Sequence, residues 1–398
     1  MELRPAREDE FDAFSAAVLT AFHEELTDDE RKRYMKIHEP ARSLAWYDDG
    51  RIVATSSLFT RDITVPGGAT VPVGAVTAVA VQPTHRRRGL LTAMMRRQLE
   101  NIRDAGEPIA ALWASEGAIY GRFGFGVAAQ TAELRARRPA ARLAAPPPPA
   151  GRPLVAGIAG EHEEIMRAVH ARAVPTRPGM LTRPGPWWDE RLYETESDRE
   201  GSHPLRAVVS EADAYALYSV RRKWDADGPA SDVVVREVVA ATRAGHAAIW
   251  AYLLDLDLTA TVSWQLAPSD EPLWLALTDP RAVKRTLWDG LWVRIVDVPA
   301  ALRARAYAAD PEVVVEVRDG FCPWNEGRYR LSGGGADVTG DEPDLVLDAG
   351  VLGAVYLGGT LLSDLAAAGR VEERTPGSVA RASAAFRGDV APWCPEIF

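Results

Sequence analysis

The spacing of apolar residues predicts alternating helices and strands along the first 137 residues. In segment 8–22, apolar side chains recur at the three- and four-residue intervals of an amphipathic helix. The Val- and Ala-rich run 71–81 is nearly continuous, as expected for a strand that is covered on both faces. The same criteria predict the other elements in order: a strand pair at 44–47 and 52–59 around an Asp-Asp-Gly turn, a helix at 90–103, and a short strand at 109–113.

A proline-rich stretch then interrupts the pattern. Four successive prolines, Pro146 to Pro149, cannot continue a helix or a central strand, so they predict a domain boundary. Beyond them the patterns predict a helix at 161–171, a strand at 233–241 and a helix at 247–254, followed by strands at 294–298, 313–317 and 327–331 and a helix near 351–366. We therefore expect a mixed α+β chain with domains at 1–137, 153–290 and 291–398, and a linker at 138–152.

Bulk properties narrow the class of protein. A chain of 398 residues exceeds the size of one hydrophobic core, and it contains no apolar run of about 18 residues that could span a bilayer. The segment Met1 to Pro5 has no signal-peptide core, which predicts a cytoplasmic protein. The net charge of −10 disfavours nucleic acid as the main partner and is compatible with a cationic small-molecule substrate. Two cysteines, Cys322 and Cys394, are too few for a disulfide framework or a four-thiolate zinc site, so we expect unpaired thiols and no metal.

The most informative stretch is 76–95, where a buried strand leads through an arginine-rich turn into a helix. The first N–H groups of a helix lack intrahelical partners and, with the helix dipole, bind anions such as a pyrophosphate. Arg86 to Arg88 add full charges, and Gly89 allows close approach of the backbone. The end of the strand can offer backbone groups to an extended ligand with amides, such as pantetheine. The alternative is an arginine-rich helix start on a solvated surface.

These residues resemble the GNAT acetyltransferase superfamily, whose signature is Arg or Gln, two residues, Gly, one residue, Gly or Ala. The chain matches at Arg86 and Gly89 and has Leu91 at the last position. Val-Ala-Val-x-Pro-Thr-His-Arg-Arg-Arg-Gly at 79–89, Ser-Glu-x-x-Ile-Tyr-x-Arg-Phe-Gly-Phe-Gly at 115–126, the length and the final Phe398 resemble the Eis (enhanced intracellular survival) family of aminoglycoside acetyltransferases.

The resemblance implies tandem GNAT folds, of which the central one has lost cofactor binding, and a C-terminal domain similar to sterol carrier proteins. It also implies a homo-hexamer, and acetyl-CoA as co-substrate without a metal. The local pattern and the resemblance together predict the acetyl-CoA contacts: Val79, Ala80, Val81, Arg86, Arg87, Arg88, Gly89, Leu90, Leu91, Thr92, Ser115 and Glu116.

Acetyl transfer to an amine requires a base for the amine and an acid for the departing thiolate. Tyr120 follows the strand and turn that should flank the thioester, and the resemblance implies that it is the acid, although an aromatic run with Phe123 and Phe125 is also typical of a core. The resemblance implies that the terminal carboxylate of Phe398 is the base. The alternative is a frayed tail, but segment 391–398 is apolar, aromatic and rich in proline. His85 lies in the phosphate turn and is a poor candidate for the base.

Candidate contacts for the amine are Glu24, Glu25, Asp28, Asp29 and Glu396, although a solvated charge run explains 24–30 equally well. The main hypothesis is an N-acetyltransferase that acts on several amino groups of aminoglycosides or similar polyamines. The alternatives are an acyltransferase for protein lysine or for longer acyl groups, and a lipid or sterol carrier that uses the C-terminal domain.

Overall fold

The computed structural model describes residues 1–146, 154–196, 198–199, 201–210, 213–333 and 335–398. Up to residue 137 its helices and strands are β1 (Glu2–Pro5), α1 (Phe11–Phe22), α2 (Asp28–Tyr34), β2 (Leu44–Asp48), β3 (Arg51–Thr64), β4 (Thr70–Val81), α3 (Leu90–Asp104), β5 (Ile109–Trp113), α4 (Gly117–Tyr120), β6 (Gly126–Val127) and β7 (Gln130–Arg137). Each helix and strand predicted in this part of the chain is present. The predicted strand 52–59 is longer than expected, because β3 continues to Thr64.

The middle of the chain contains β8 (Leu154–Ile158), α5 (Glu163–Ala173), α6 (Gly185–Leu192), β9 (Arg206–Ser210), β10 (Ala214–Arg221), β11 (Trp224–Asp225), β12 (Gly228–Pro229), β13 (Ser231–Ala240), α7 (Arg243–Asp255), β14 (Thr259–Pro268), α8 (Leu273–Ala276) and β15 (Val283–Asp289). The predicted helix 161–171 and the predicted strand and helix at 233–241 and 247–254 correspond to α5, β13 and α7. Of the predicted linker, residues 147–152 lie outside the described residues.

The last third contains β16 (Leu291–Ile295), α9 (Val298–Ala304), β17 (Val313–Arg318), β18 (Gly327–Ser332), β19 (Gly335–Val338), β20 (Leu345–Asp348), α10 (Ala349–Val355), α11 (Leu362–Ala367), β21 (Val371–Glu373) and α12 (Ser378–Phe386). The prediction of one helix near 351–366 is wrong. The chain turns at Gly358 between α10 and α11, and Gly359 packs against Pro392 of the C-terminal segment.

Two seven-stranded sheets exchange one strand each. The first sheet has the order β1-β2-β3-β4-β5-β16-β6, and the central sheet, read from its other edge, has the order β8-β9-β10-β13-β14-β7-β15. β16, from the last third of the chain, is therefore the sixth strand of the first sheet. β7, from the first 137 residues, is the sixth strand of the central sheet. β16 pairs with β5 and β6, and β7 pairs with β14 and β15, all antiparallel. Segment 130–137 thus belongs to the central sheet and segment 291–295 to the first sheet, although the sequence assigned both differently.

The C-terminal domain packs directly on the first sheet. Its five strands have the order β19-β18-β17-β20-β21, and α10 contacts β16 and β6. A Cβ atom on Gly353 would collide with the backbone oxygen of Val293, so this close contact between helix and strand requires glycine. One hydrophobic core contains buried residues of both domains, among them Val73, Val293, Val315 and Leu352. The two domains are therefore joined by a continuous apolar interior rather than by a linker alone.

Among the described residues, no helix is both long and apolar enough to cross a membrane. Cys322 and Cys394 are free thiols, and both are buried.

Candidate functional site

The first sheet splits between its two parallel central strands. β4 and β5 pair only from Val73 to Ala75 of β4, opposite Ile109 to Ala111 of β5. Beyond these three pairs the strands diverge, although β4 continues to Val81 and β5 to Trp113. Divergence leaves backbone N–H and C=O groups on the facing edges without ladder partners, so an extended polar ligand can pair with them.

A bulge in β4 lies beside the split. Opposite β3, two residues of β4, Ala78 and Val79, occupy the space of one, because the register shifts between Thr55 and Ser57. Ala78 has a φ of 50°, which is uncommon for a residue with a side chain. The hydroxyl of Thr55 donates a 2.8 Å hydrogen bond to the backbone oxygen of Ala78 and holds the bulge. Bulges redirect backbone groups, and this one lies where the strand meets the two pockets described below.

The turn after β4 presents the start of α3 to the same gap. Gly89 is the N-cap residue of α3 and has a φ of 79°, a conformation that favours glycine. A Cβ atom added there would have no heavy atom within 4 Å, so the backbone of the turn faces open space. Arg87 also has a positive φ, of 64°. The start of α3 therefore borders open space, and the first N–H groups of a helix, which lack intrahelical partners, can bind an anion there.

A pocket of about 460 Å³, which we call the turn pocket, lies between this turn, the end of β4 and the segment after β5. Of the twelve predicted cofactor contacts, all but Arg88 line it. The guanidinium of Arg88 instead donates to the backbone oxygen of Thr84 at 3.2 Å. The pocket is also lined by Tyr120, the predicted acid, and by residues that were not predicted as contacts: Ala21, Phe22, Ile119 and Arg122.

The charge at the turn is strongly positive. Arg86 and Arg87 are exposed and line the turn pocket, and neither forms an ion pair with another described residue. His85 also lines the pocket, but its ring contacts Asp48 at 3.1 Å and the hydroxyl of Thr84 at 2.8 Å. The two arginines are therefore available for an anionic ligand, and His85 is already engaged.

Tyr120 lies where two pockets meet. It is the last residue of α4, and it lines both the turn pocket and a second cavity of about 480 Å³, which we call the tail pocket. Its ring packs edge to face on Phe125, with the centroids 6.0 Å apart. Among the described residues, its hydroxyl has no hydrogen-bond partner. Burial, with a smaller contribution from Glu116, raises the pKa of Tyr120 to about 12, so the phenol is protonated at neutral pH.

The tail pocket lies on the other side of the split. Its floor is formed by β4 from Val76 to Val79 and by the end of β5 at Trp113, and its walls come from α1, α2, β15 and the C-terminal residues. Phe398 lines it, and the Phe398 side chain also packs near Ile37 and Phe59. The last residue of the chain therefore reaches the pocket that also contains Tyr120.

The C-terminal segment is fixed along its length by contacts with the central domain. The backbone N–H of Trp393 donates to Pro178 at 2.8 Å, and its indole donates to the backbone oxygen of Leu266 at 2.7 Å. The backbone oxygen of Ala391 accepts a 2.9 Å hydrogen bond from Arg177. These bonds exclude a frayed tail.

Glu396 anchors the segment just before the pocket. Its carboxylate pairs with Arg61 of β3 and with Arg183, each at 2.8 Å, and Arg183 also pairs with the buried Glu237 at 2.9 Å. Although burial opposes ionisation, the charges of Arg183 and Arg61 dominate and lower the pKa of Glu396 to about 2. Glu396 was expected to contact the substrate. The structure corrects this, because the side chain is buried, is engaged by two arginines and does not line the tail pocket.

The other predicted acidic contacts differ in whether they line a pocket. Glu24 lines the tail pocket, whereas Glu25 and Asp28 are exposed outside both pockets. Asp29 forms an exposed ion pair with Lys32 at 3.2 Å. Sequence reasoning missed most of the actual lining, namely Phe14, Ser15, Val18, Leu19, Leu26, Tyr34, Trp113, Ala114, Trp288 and Ile397. The apolar face of α1 was visible in the sequence, but such a face is equally typical of a core.

Comparisons with known proteins agree with this geometry. Two family models described as acetyltransferase (GNAT) domains match residues 2–128 and 179–295, and a third, described as a sterol carrier protein domain, matches residues 298–395. Three domains of these types account for the two seven-stranded sheets and the smaller C-terminal sheet.

Full-length relatives are also similar. An uncharacterized N-acetyltransferase of Streptomyces avermitilis is 43% identical and is aligned over 100% of this chain and 99% of its own length. The N-acetyltransferase Eis of Mycobacterium tuberculosis is 40% identical over 82% of this chain and 81% of its own. The crystal structure of Eis1 from Mycobacterium abscessus has a TM-score of 0.90 and 33% identity, with both chains fully covered.

Proposed function

This chain belongs to the Eis family of GNAT N-acetyltransferases, and from that premise we propose that it transfers the acetyl group of acetyl-CoA to an amine across the split between β4 and β5. The observation that carries the proposal is the position of Tyr120. Its side chain lies at the junction of the turn pocket and the tail pocket, with positively charged groups on one side and the end of the chain on the other.

The turn pocket would hold acetyl-CoA. The pyrophosphate would lie at the start of α3, where Arg86 and Arg87 are free of ion pairs with other described residues and Gly89 leaves open space. The pantetheine amides would pair with the backbone of Val79 to Val81, which the split leaves without strand partners on that edge. When bound, acetyl-CoA supplies the thioester whose acyl carbon the amine attacks.

Tyr120 would act as the general acid. As the new C–N bond forms and the C–S bond breaks, the leaving sulfur needs a proton, and the Tyr120 hydroxyl is protonated at neutral pH. Its ring is fixed by Phe125, so the hydroxyl keeps its position in the split. A phenol with a pKa above that of a thiol gives up its proton only when negative charge develops on sulfur, as general acid catalysis requires.

The carboxylate of Phe398 would act as the general base. It would attract the ammonium form of the substrate and accept the proton that the amine loses, directly or through water. Glu396 supports this role because its ion pairs with Arg61 and Arg183 fix the chain two residues earlier. The base is therefore positioned by contacts outside the reaction site.

The resemblance to the Eis family suggests aminoglycosides or similar polyamines as acceptors, with protein lysine or a longer acyl donor as alternatives. A lipid or sterol carrier is less consistent with the packing. Val315, Leu331, Leu345 and Leu352, which form the apolar interior of the C-terminal domain, are buried in one core shared with the first sheet.

We also propose a homo-hexamer, for which the support is the family resemblance alone. Sedimentation of the purified protein should then give a mass six times the 43.3 kDa of the chain. A monomer at micromolar concentration would contradict it.

The function is tested by incubating the purified protein with acetyl-CoA and a panel of amines, and by following thiol release and product mass. We expect acetylated products, and a loss of turnover when Phe398 is removed or when one glycine is added after it. An exposed substitution on the same segment, Val390→Ala, is the matched control and should keep full activity. Full activity of both tail variants would exclude the carboxylate as base, and no product from any amine would contradict the function.

A further inference from the structure

We propose that Arg294 and Asp319 are positioning residues for Tyr120, through which the C-terminal domain holds the general acid in place. The inference rests on the proposed function, in which the Tyr120 hydroxyl protonates the leaving sulfur. It follows from the contacts between a buried ion pair and the segment that comes directly after Tyr120, residues 121–125, which we call the acid loop.

The acid loop determines where the Tyr120 ring lies. It consists of a single turn of 3-10 helix, Gly121–Phe123, followed by Gly124 with a φ of 82° and by Phe125. The backbone N–H of Phe125 donates to the backbone oxygen of Tyr120 at 3.3 Å, and the two rings are in edge-to-face contact. A displacement of the acid loop would therefore move the Tyr120 hydroxyl relative to the split between β4 and β5.

A buried ion pair packs against the acid loop. Arg294 belongs to β16, and its guanidinium donates to both carboxylate oxygens of Asp319 at 2.7 Å. A Cβ atom on Gly124 would lie only 2.8 Å from the Cζ atom of Arg294. The guanidinium is therefore in direct contact with the backbone of the acid loop, and only glycine leaves room for this contact.

Asp319 belongs to the C-terminal domain, where the loop between β17 and β18 fixes its carboxylate. The carboxylate accepts hydrogen bonds from the backbone N–H of Cys322 at 2.9 Å and from the side chain of Asn325 at 3.1 Å. Asn325 also donates to the backbone oxygen of Ile295, at the end of β16, at 3.1 Å. Because the carboxylate has a fixed direction, it also fixes the direction of the Arg294 guanidinium.

The loop between β17 and β18 contacts the acid loop a second time, through an aromatic pair. The rings of Phe321 and Phe123 lie 5.1 Å apart between centroids. Arg96 of α3 donates to the backbone oxygen of Phe321 at 2.8 Å, and its guanidinium lies over the Phe321 ring, 4.5 Å from the centroid. Tyr120, Phe123 and Cys322 belong to one hydrophobic core. The C-terminal domain therefore supports the acid loop by packing as well as by the ion pair.

Stability alone does not account for a charged pair at this place. Removing two charges from water is costly, and apolar side chains of similar volume are often equally stable in place of a buried ion pair. An ion pair, however, has a direction. The planar guanidinium of Arg294 is held by Asp319 and also donates to the backbone oxygen of Ile295 at 3.0 Å, so its orientation beside the acid loop is fixed. An apolar pair of the same volume would set no such direction.

The test is a double-mutant cycle between Asp319→Asn and Tyr120→Phe. Steady-state kinetics are measured with acetyl-CoA and with whichever of kanamycin and spermidine the parent acetylates faster. Asp319→Asn keeps the shape of the side chain, but an amide cannot accept all the hydrogen bonds that the carboxylate accepts. We expect kcat to fall about tenfold while the KM values of both substrates stay unchanged, because a slightly displaced acid transfers its proton less effectively. In Tyr120→Phe the same change should lower kcat by less than about twofold, since the hydroxyl that the pair positions is absent.

Gly124→Ala tests the same contact from the side of the acid loop. The added Cβ atom would press on the Arg294 guanidinium, so we expect a loss of kcat at unchanged KM that again disappears in Tyr120→Phe. The matched control is Asp344→Asn, at an aspartate of the same domain whose carboxylate accepts a 2.8 Å hydrogen bond from the backbone N–H of Val314 in β17. It should keep the kcat of the parent even where its melting temperature falls.

Two results would overturn the inference and leave the proposed function intact. One is an equal loss of kcat from Asp319→Asn in the parent and in Tyr120→Phe, which would show that the ion pair does not act through the acid. The other is full kcat in both Asp319→Asn and Gly124→Ala. A parent that acetylates no amine would instead contradict the proposed function, and the inference with it.

Discussion

The first and the central sheet have the same strand order, and both split between their two parallel strands, but one split is open and the other is filled. In the central sheet, β13 and β14 pair from Ser231 to Val235 of β13, which then continues unpaired with β14 to Ala240. In the first sheet the corresponding split leads into two pockets that share Tyr120. A shared fold therefore does not decide whether a site forms; the residues beyond the last strand pair do.

The turns after the split strands also differ. Eight residues, 82–89, separate β4 from α3 and include three arginines and the N-cap Gly89. Two residues separate β13 from α7, and the side chain of Thr242 itself accepts a 3.0 Å hydrogen bond from the backbone of Gly245. The start of α7 is therefore capped internally, whereas the start of α3 is left to an external anion.

Other parts of the chain occupy the region beside the central split. Trp393 of the C-terminal segment packs on Trp264, the last residue of β14 that pairs with β13, with ring centroids 5.7 Å apart. Glu237, two residues beyond the last pair of β13, is buried and contacts Arg183, Arg191 and the Tyr215 hydroxyl. The residues beside the split of the central sheet therefore hold the C-terminal segment, which reaches the split of the first sheet.

The largest expected effect is on turnover, from a change at Tyr120, the proposed general acid at the open split. Tyr120→Phe removes the hydroxyl at the open split and should lower kcat about 100- to 10,000-fold, with little change in the KM for acetyl-CoA. The matched control is Tyr218→Phe in the central sheet, where the hydroxyl is hydrogen-bonded to that of Tyr252 at 2.8 Å. Steady-state kinetics of both variants check the prediction, and equal rates for the two would remove Tyr120 from the mechanism.

The next effect concerns the filled split. Glu237→Gln leaves Arg183 and Arg191 without a full counter-charge in a buried cluster and should destabilise the central domain by about 3 kcal/mol. Urea unfolding monitored by tryptophan fluorescence measures it. Asp257→Asn, which breaks a 3.9 Å contact between the fully exposed carboxylate of Asp257 and Arg138, should leave the midpoint unchanged. If both variants unfold like the parent, the ion cluster around Glu237 does not stabilise the filled split.

A smaller effect is expected at the two helix starts. Arg86→Ala with Arg87→Ala should raise the KM for acetyl-CoA about tenfold to 100-fold, because each arginine loses a charge-assisted contact with phosphate. The control is Arg243→Ala at the start of α7, an exposed arginine outside both pockets. A similar KM for the two variants would show that the two helix starts are equivalent after all.

The smallest effect is on the pH dependence of stability. Burial and the charge of Arg183 lower the pKa of His170, whose ring packs edge to face on Trp188 beside the ion cluster, from 6.5 to about 4. The unfolded chain therefore binds a proton that the folded chain does not between these pH values. Stability is complete above pH 6.5 and falls as the pH drops towards 4.

Melting curves at several pH values test this dependence. The midpoint should fall by about 3 °C between pH 6.5 and pH 5, and His170→Gln should flatten this part of the profile. His203→Gln, at an exposed histidine, should keep the slope of the parent. A profile of His170→Gln identical to that of the parent would assign the dependence to other groups.

The open split was largely predictable from sequence because its signals are local. The buried run of β4, the arginine-rich turn and the apolar face of α3 lie within about thirty consecutive residues, and helix and strand periodicity operate over that range. Nine of the eleven predicted cofactor contacts that line the turn pocket belong to this stretch. Arg88 was misplaced because a run of three arginines does not show which of them folds back onto the turn.

The filled split and the tail pocket were not predictable in the same way. The alternation of Gln130–Arg137 identifies a strand but not the sheet it joins, so the exchange of β7 with β16 is invisible in the pattern. Glu396 and Arg61 are 335 residues apart. Nothing in the sequence around Glu396 shows whether its carboxylate binds a substrate or an arginine. Trp288 reached the pocket from β15 without any local sign.

The sequence by itself determined the strand–turn–helix unit that presents Arg86, Arg87 and Gly89, since sterics, hydrogen bonding and periodicity act between near neighbours along the chain. The tertiary structure alone decided which acidic side chains are neutralised, which rings line the tail pocket and where the last residue lies. These properties depend on distances between residues hundreds of positions apart, and burial and charge pairing are fixed only when the sheets have packed.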